Sequence, residues 1–198
     1  MDSGRSNTAD GATSIGYQAG YSQTSGASNT NVGYQAGYSN TTGASRVMLG
    51  YEAGRNNTGS NNVFLGKATG KGAGSGSQTI AIGQGVMESG SAANNSVFIG
   101  NYMAANTTTG ANSTVAIGTN CLAASGYSAE GNTVVGFQSG NNLSSGDNNT
   151  LIGGNAGDAL TTGSNNIVIG QDAAASSATA TNEITLGNAS VTSFRIPG

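Results

Sequence analysis

An aliphatic residue followed by glycine recurs along this chain at Gly16, Gly33, Gly50, Gly66, Gly83, Gly100, Gly118, Gly136, Gly153, Gly170 and Gly187. The intervals are 17, 17, 16, 17, 17, 18, 18, 17, 17 and 17 residues. A period this regular constrains the fold more than any local propensity. It marks a repeat architecture in which each unit buries its apolar side against the next.

Positions are numbered here from the anchor glycine. Position -1 is always aliphatic: Ile15, Val32, Leu49, Leu65, Ile82, Ile99, Ile117, Val135, Ile152, Ile169 and Leu186. Position -3 is always β-branched, from Thr13 and Thr30 through Val47, Val63, Ile80, Val97, Val115, Thr133, Thr150 and Ile167 to Ile184. Residues two apart share one face of a strand, and β-branched side chains suit strands better than helices. Each unit therefore carries one short strand, and the -3 and -1 columns are expected to stack inward as the core. Position +3 is compact (Ala19, Ala36, Ala53, Cys121, Ala156) and reads as a second inward corner. The anchor glycine turns the chain where positive φ or close backbone approach is needed. Pairs such as Asn61-Asn62, Asn148-Asn149 and Asn165-Asn166 precede the strands; asparagine accepts left-handed turns, and its amides bond along a ladder. The result is an all-β parallel solenoid of about eleven coils. Ten steps at ~4.8 Å give a rod on the order of 48 Å long. The chain divides into a lead-in (1–9), the solenoid (10–190) and an exit segment (191–198). The longer coils place their extra residues in loops, as where Gly110 comes one place early.

Composition supports order and restricts function. The 198 residues include 34 Gly, one Pro and no His or Trp, with only 8% charged. Disordered chains of such polarity are usually charged and lack spaced β-branched residues. A formal net charge of -3 leaves no basic surface for nucleic acid. No apolar run reaches the ~18 residues of a membrane span, and no secretion signal is visible in the first ten residues. One cysteine excludes an internal disulfide framework.

Position -2 should point outward, yet it is apolar in eight consecutive coils: Met48, Phe64, Ala81, Phe98, Ala116, Val134, Leu151 and Val168. Long exposed apolar stripes mark association sites, so this row is expected to be a subunit interface along the rod; the alternative is a slightly wider coil core that takes the row in. Neither end shows a polar capping unit, and an uncapped solenoid invites stacking.

The unit N-N-x-V-x-I-G-x-x-A-G is similar to repeats of bacteriophage tail fibres. It also resembles the shorter N-S-x-A-I-G-x-x-A unit of trimeric autotransporter adhesin heads. The segment NEITLGNASVTSFR, Asn182 to Arg195, resembles the stretch that precedes the C-terminal intramolecular chaperone of phage fibres and spikes. This resemblance implies a parallel homotrimer with a left-handed coil, and location in the virion with a role in host attachment; the -2 row is the expected seam of the three rods. The longer, Asn-rich coil favours the phage fibre over a bacterial surface adhesin head. No cleavage residue of the chaperone maps onto this chain.

The apparatus for chemistry is sparse. Without His, and with Cys121 in a core column, nucleophilic catalysis has no partners, and no cofactor or metal site is expected. Glu130 and Asp147 share position -6 one coil apart, a spacing that would suit a retaining glycosidase or a hard cation, but no third group accompanies them. Tyr17, Tyr34 and Tyr51 share +1, and Tyr21 and Tyr38 share +5, beside Gln18, Gln35 and Glu52. These tyrosines form either a ladder that strengthens the rod or a surface for a host glycan or protein receptor. Arg55, Lys67 and Lys71 add a small basic spot. Interrupted Thr rows argue against ice binding, and the absence of a carboxylate cleft argues against a glycan-degrading spike. The expected function is structural and adhesive, without enzyme activity.

Overall fold

The computed structural model describes residues 2–5, 8, 10–90, 93–104 and 111–195. Gly110 and residues 196–198 of the exit segment lie outside the described residues. Among the described residues there are eleven strands and no helix: β1 (Thr13–Ile15), β2 (Thr30–Val32), β3 (Val47–Leu49), β4 (Val63–Leu65), β5 (Ile80–Gln84), β6 (Val97–Asn101), β7 (Val115–Thr119), β8 (Thr133–Val135), β9 (Thr150–Ile152), β10 (Ile167–Ile169) and β11 (Ile184–Leu186). They form one parallel sheet in strict chain order. Each strand pairs with the next at the same repeat position, for example Val97↔Val115, Phe98↔Ala116 and Ile99↔Ile117. The fold is a parallel β-solenoid, as the period dictates.

The turns repeat as faithfully as the strands. Position -5 is left-handed in all eleven coils, from Gly11 (φ 69°) through Asn61 (φ 62°) and Asn148 (φ 57°) to Asn182 (φ 61°). Asparagine at these places is the expected residue. Position +2 is left-handed as well, at Gln18 (φ 52°), Gln35 (φ 51°) and Glu52 (φ 53°), which composition alone did not signal. Non-glycine residues in this region cost on the order of 1 kcal/mol each. Ladder hydrogen bonds hold them: the Gln35 amide donates to the Tyr17 carbonyl (2.9 Å), and Glu52 to Tyr34 (2.8 Å). The anchor glycines are obligatory for two reasons. From Gly16 to Gly170 their φ lies between 125° and 149°. In addition, a Cβ on Gly83 would collide with the carbonyl oxygen of Gly100 in the next coil.

The strand faces are the reverse of the expectation. Met48, Phe64, Ala81, Phe98, Ala116, Val134, Leu151 and Val168 are all 0% exposed in the single chain. The -2 row is therefore the core of each coil and not a surface between chains. None of the residues at -1 is buried: Ile15, Val32, Leu49, Leu65, Ile82, Ile99, Ile117, Val135, Ile152, Ile169 and Leu186 lie on the outer face, with Ile15 at 60% and Ile117 at 39% exposure. The -3 column accompanies them. A period of two says which residues share a face but not which face points in. The decision comes from what else must fit inside a coil of 17 residues. The +3 residues from Ala19 to Ala173 do point inward, as expected. The lumen also takes a column of small polar residues at -4 (Asn29, Asn62, Thr79, Ser96, Asn132, Asn149, Asn166). Together these leave room for one row of variable size, not for two rows of large aliphatics.

The variable row is matched across the lumen by position +4. Where -2 is alanine, +4 is large and buried: Ala81 with Met87, and Ala116 with Leu122. Where -2 is Met48, Phe64, Val134 or Leu151, +4 is Gly54, Gly70, Gly140 or Gly157. Close packing of this kind leaves the interior without large voids.

The -4 amides continue the sheet inside the coil. The Asn166 backbone N–H donates to Asn149 Oδ1 (3.0 Å), the Asn149 N–H to Asn132 Oδ1 (2.8 Å), and Asn149 Nδ2 to the Gly163 carbonyl (3.0 Å). These buried amides are tolerated because they are paired with backbone and with one another.

Candidate functional site

The -3 and -1 columns form an apolar strip on one side of the rod. It contains all eleven aliphatics at -1 and seven more at -3, and the remaining four -3 places are Thr13, Thr30, Thr133 and Thr150. All are half-buried or exposed. The strip runs across all eleven strands of the sheet, and long exposed apolar stripes mark association sites. Its straightness follows from the in-register pairing, which places each Ile, Val or Leu directly against its equivalent.

The tyrosines form two stacks at the N-terminal end. Tyr17, Tyr34 and Tyr51 lie nearly parallel with centroids 5.3 and 5.0 Å apart, and Tyr21 and Tyr38 are 5.2 Å apart. Arg5 covers Tyr21 (5.9 Å), and Arg55 covers Tyr38 (5.5 Å). Gln35 Nε2 donates to Gln18 Oε1 (2.8 Å) between the stacks. The inner ring faces are thus occupied by one another. What remains outward is phenol edges and hydroxyls, with Tyr17 and Tyr51 each 48% exposed. The geometry favours the structural role for this ladder, with little flat aromatic surface left for a sugar ring.

Glu52 Oε2 holds Lys71 Nζ at 2.8 Å, and Glu52 Oε1 lies 3.5 Å from Arg55 Nε. The basic spot is thereby partly neutralised, and surface pairs of this kind contribute little stability. Glu130 and Asp147 are likewise occupied. Asn112 Nδ2 donates to Glu130 Oε1 (2.7 Å), the Glu130 N–H donates to Asp147 Oδ1 (2.8 Å), and the Asp147 N–H donates to Ser164 Oγ (3.0 Å). These acids are rungs of an outer side-chain ladder that also includes Ser60, Ser77 and Asn94. A carboxylate accepting a backbone N–H in a continuous ladder is poorly placed to attack a substrate.

Cys121 is buried, and its thiol donates to the Gly136 carbonyl. Burial pushes it up to about 11, so it is protonated at neutral pH and unreactive. Among the described residues no group of three His, Cys, Asp or Glu is placed to hold a metal ion. No helix among the described residues is long and apolar enough to cross a membrane. A depression at the C-terminal end is lined by Asp172, Thr185, Asn188 and Ser190 among others.

No protein-family model, no curated protein and no solved structure matches the chain.

The -1, -2, -3 and +3 columns are legible in the sequence, whereas the inward -4 polar column and the large inward residues at +4 are not. From the sequence the -2 row is expected outside and the -3 and -1 columns inside, and the structure has the reverse. The signal that would have placed the -2 row is its size matching with +4, since two positions compensate in volume only when they share an interior.

Proposed function

We propose that this chain is a rigid shaft segment of a bacteriophage tail fibre that associates through the -3/-1 strip into a parallel homotrimer and serves host attachment. The observation that carries this reading is the strip itself, in which position -1 is aliphatic in all eleven coils and buried in none. A continuous apolar face along the rod is a liability on a lone chain and is the kind of surface that marks association. The tail-fibre assignment and the trimer rest on the likeness of the repeat unit and of the segment Asn182 to Arg195 to phage fibres. The mechanism is mechanical. Backbone ladders run the length of the rod, the amide rungs stiffen each coil from inside, and packing of three strips would remove the apolar surface from water. A receptor would meet the rod on its outward loops and tyrosine edges.

The test is molar mass by light scattering after size exclusion, for the wild type and for Ile99→Asp with Ile117→Asp. The wild type is expected at three times the chain mass and the variant at the monomer mass, with its circular dichroism unchanged. A monomeric wild type would overturn the shaft reading and turn attention to a stand-alone solenoid with a flat face.

A further inference from the structure

The interior of the solenoid changes character along its length. From β3 to β10 the -2 row is apolar. The first two coils carry Ser14 and Asn31 there, and Gln23, Asn40, Arg46 and Asn57 add polar side chains to the lumen of the first three coils. Among the described residues, four buried side-chain polar atoms lack a hydrogen-bond partner: Ser14 Oγ, Asn31 Oδ1, Arg46 Nη2 and Arg55 Nε. The first three lie in this short polar stretch of the lumen.

Arg46 occupies the -4 column, where most coils carry Asn, Thr or Ser. It is 1% exposed. Its Nε donates to Asn29 Oδ1 (3.2 Å), and Nη1 donates to the Asn57 carbonyl (2.8 Å) and Asn57 Oδ1 (3.4 Å). Every one of these acceptors is neutral. The ion pairs among the described residues are Arg55 and Lys71 with Glu52, and Arg46 is in neither. Burial lowers its pKa to about 10, which still leaves it protonated at neutral pH. A fully buried cation with neutral partners and a free pair of N–H donors is costly unless a negative charge joins it.

We infer that the lumen of the second and third coils holds a small monovalent anion, of the halide class, on the Nη2 group of Arg46. The planar guanidinium offers Nη2 as a fork with two donors, while Nε and Nη1 fix the plane against Asn29 and Asn57. The anion enters as the coils close and supplies the charge that no side chain here provides. It contributes to folding by linkage, because it binds the folded coil and not the open chain. The inference is independent of the tail-fibre reading.

The experiment uses the whole chain. Crystals grown in bromide are measured at the bromine absorption edge, and melting is followed against chloride at constant ionic strength with gluconate as the balancing anion. An anomalous peak in hydrogen-bonding contact with Nη2 is expected. A tenfold rise in chloride above its dissociation constant should raise the wild-type Tm by about 2–4 °C. Arg46→Asn reproduces the residue at this place in the neighbouring coils (Asn29 and Asn62), so it should fold and show no chloride dependence. Water without anomalous signal at Nη2, or equal chloride dependence in both proteins, overturns the inference.

Discussion

The ring of Phe64 occupies the space that a Cβ on Gly70 would need. The two residues sit at -2 and +4 of one coil and divide a fixed volume between them. The next coil makes the opposite division with Ala81 and Met87, both fully buried. Gly70→Met alone should therefore abolish folding of this coil, since the side chain has no room and φ is 63°. Phe64→Ala alone should cost about 3–5 kcal/mol through the cavity it leaves. Combining the two should recover a large part of that loss, which chemical denaturation of the three variants would measure. Additive losses in the double variant would show that the pair does not share one space.

Neighbouring residues in β6 should respond oppositely. Phe98 is fully buried, whereas Ile99 is 36% exposed. Phe98→Asp should leave no cooperative melting transition. Ile99→Asp should keep the coil and change only association. Circular dichroism melts, paired with sedimentation, distinguish the two outcomes; equal loss of fold in both would contradict the inversion of faces.

The inner amide ladder predicts a cost without any change in volume. Asn149→Leu removes the acceptor of the Asn166 N–H and the donor to the Gly163 carbonyl. Each buried group left unpaired costs about 1–3 kcal/mol. The variant should unfold at clearly lower denaturant, while Asn142→Leu on an exposed loop should not. Equal midpoints would mean the ladder is dispensable.

Cys121 gives a pH signature. Its folded pKa, about 11, lies above the ordinary 9.0, so the fold prefers the neutral thiol. Its contribution is complete below pH 9 and is lost as pH rises toward 11. Arg46, lowered to about 10, acts in the opposite sense above that pH. The thiol contribution is therefore read as the difference between wild type and Cys121→Ser, which copies Ser139 in the next coil. That difference should shrink across pH 9–11. Native Cys121 should also resist alkylation at pH 8 and react once denatured; rapid native labelling would show the thiol is accessible.

The period, coil length, strand positions and turn residues were legible because they are local. An aliphatic before glycine every 17 residues, β-branched residues at -3 and asparagine at -5 each act through the backbone of their own coil or its immediate neighbour. The left-handed Gln18, Gln35 and Glu52 were not legible, since no intrinsic preference puts Gln or Glu there; ladder bonds from the adjacent coil hold them.

What only the tertiary structure decided is which side of the strand became the inside. Period two assigns Ile99 and Phe98 to opposite faces and stops there. Closure of a narrow coil makes the choice. The lumen must hold Ala53 or Cys121 at the corner, Asn62 or Asn149 bonded to backbone, and one further side chain whose size its +4 partner can offset. Phe98 and its column meet that condition. Ile99 and its column, large at every coil and with nothing opposite to shrink, are left outside as the strip by which this rod would meet another.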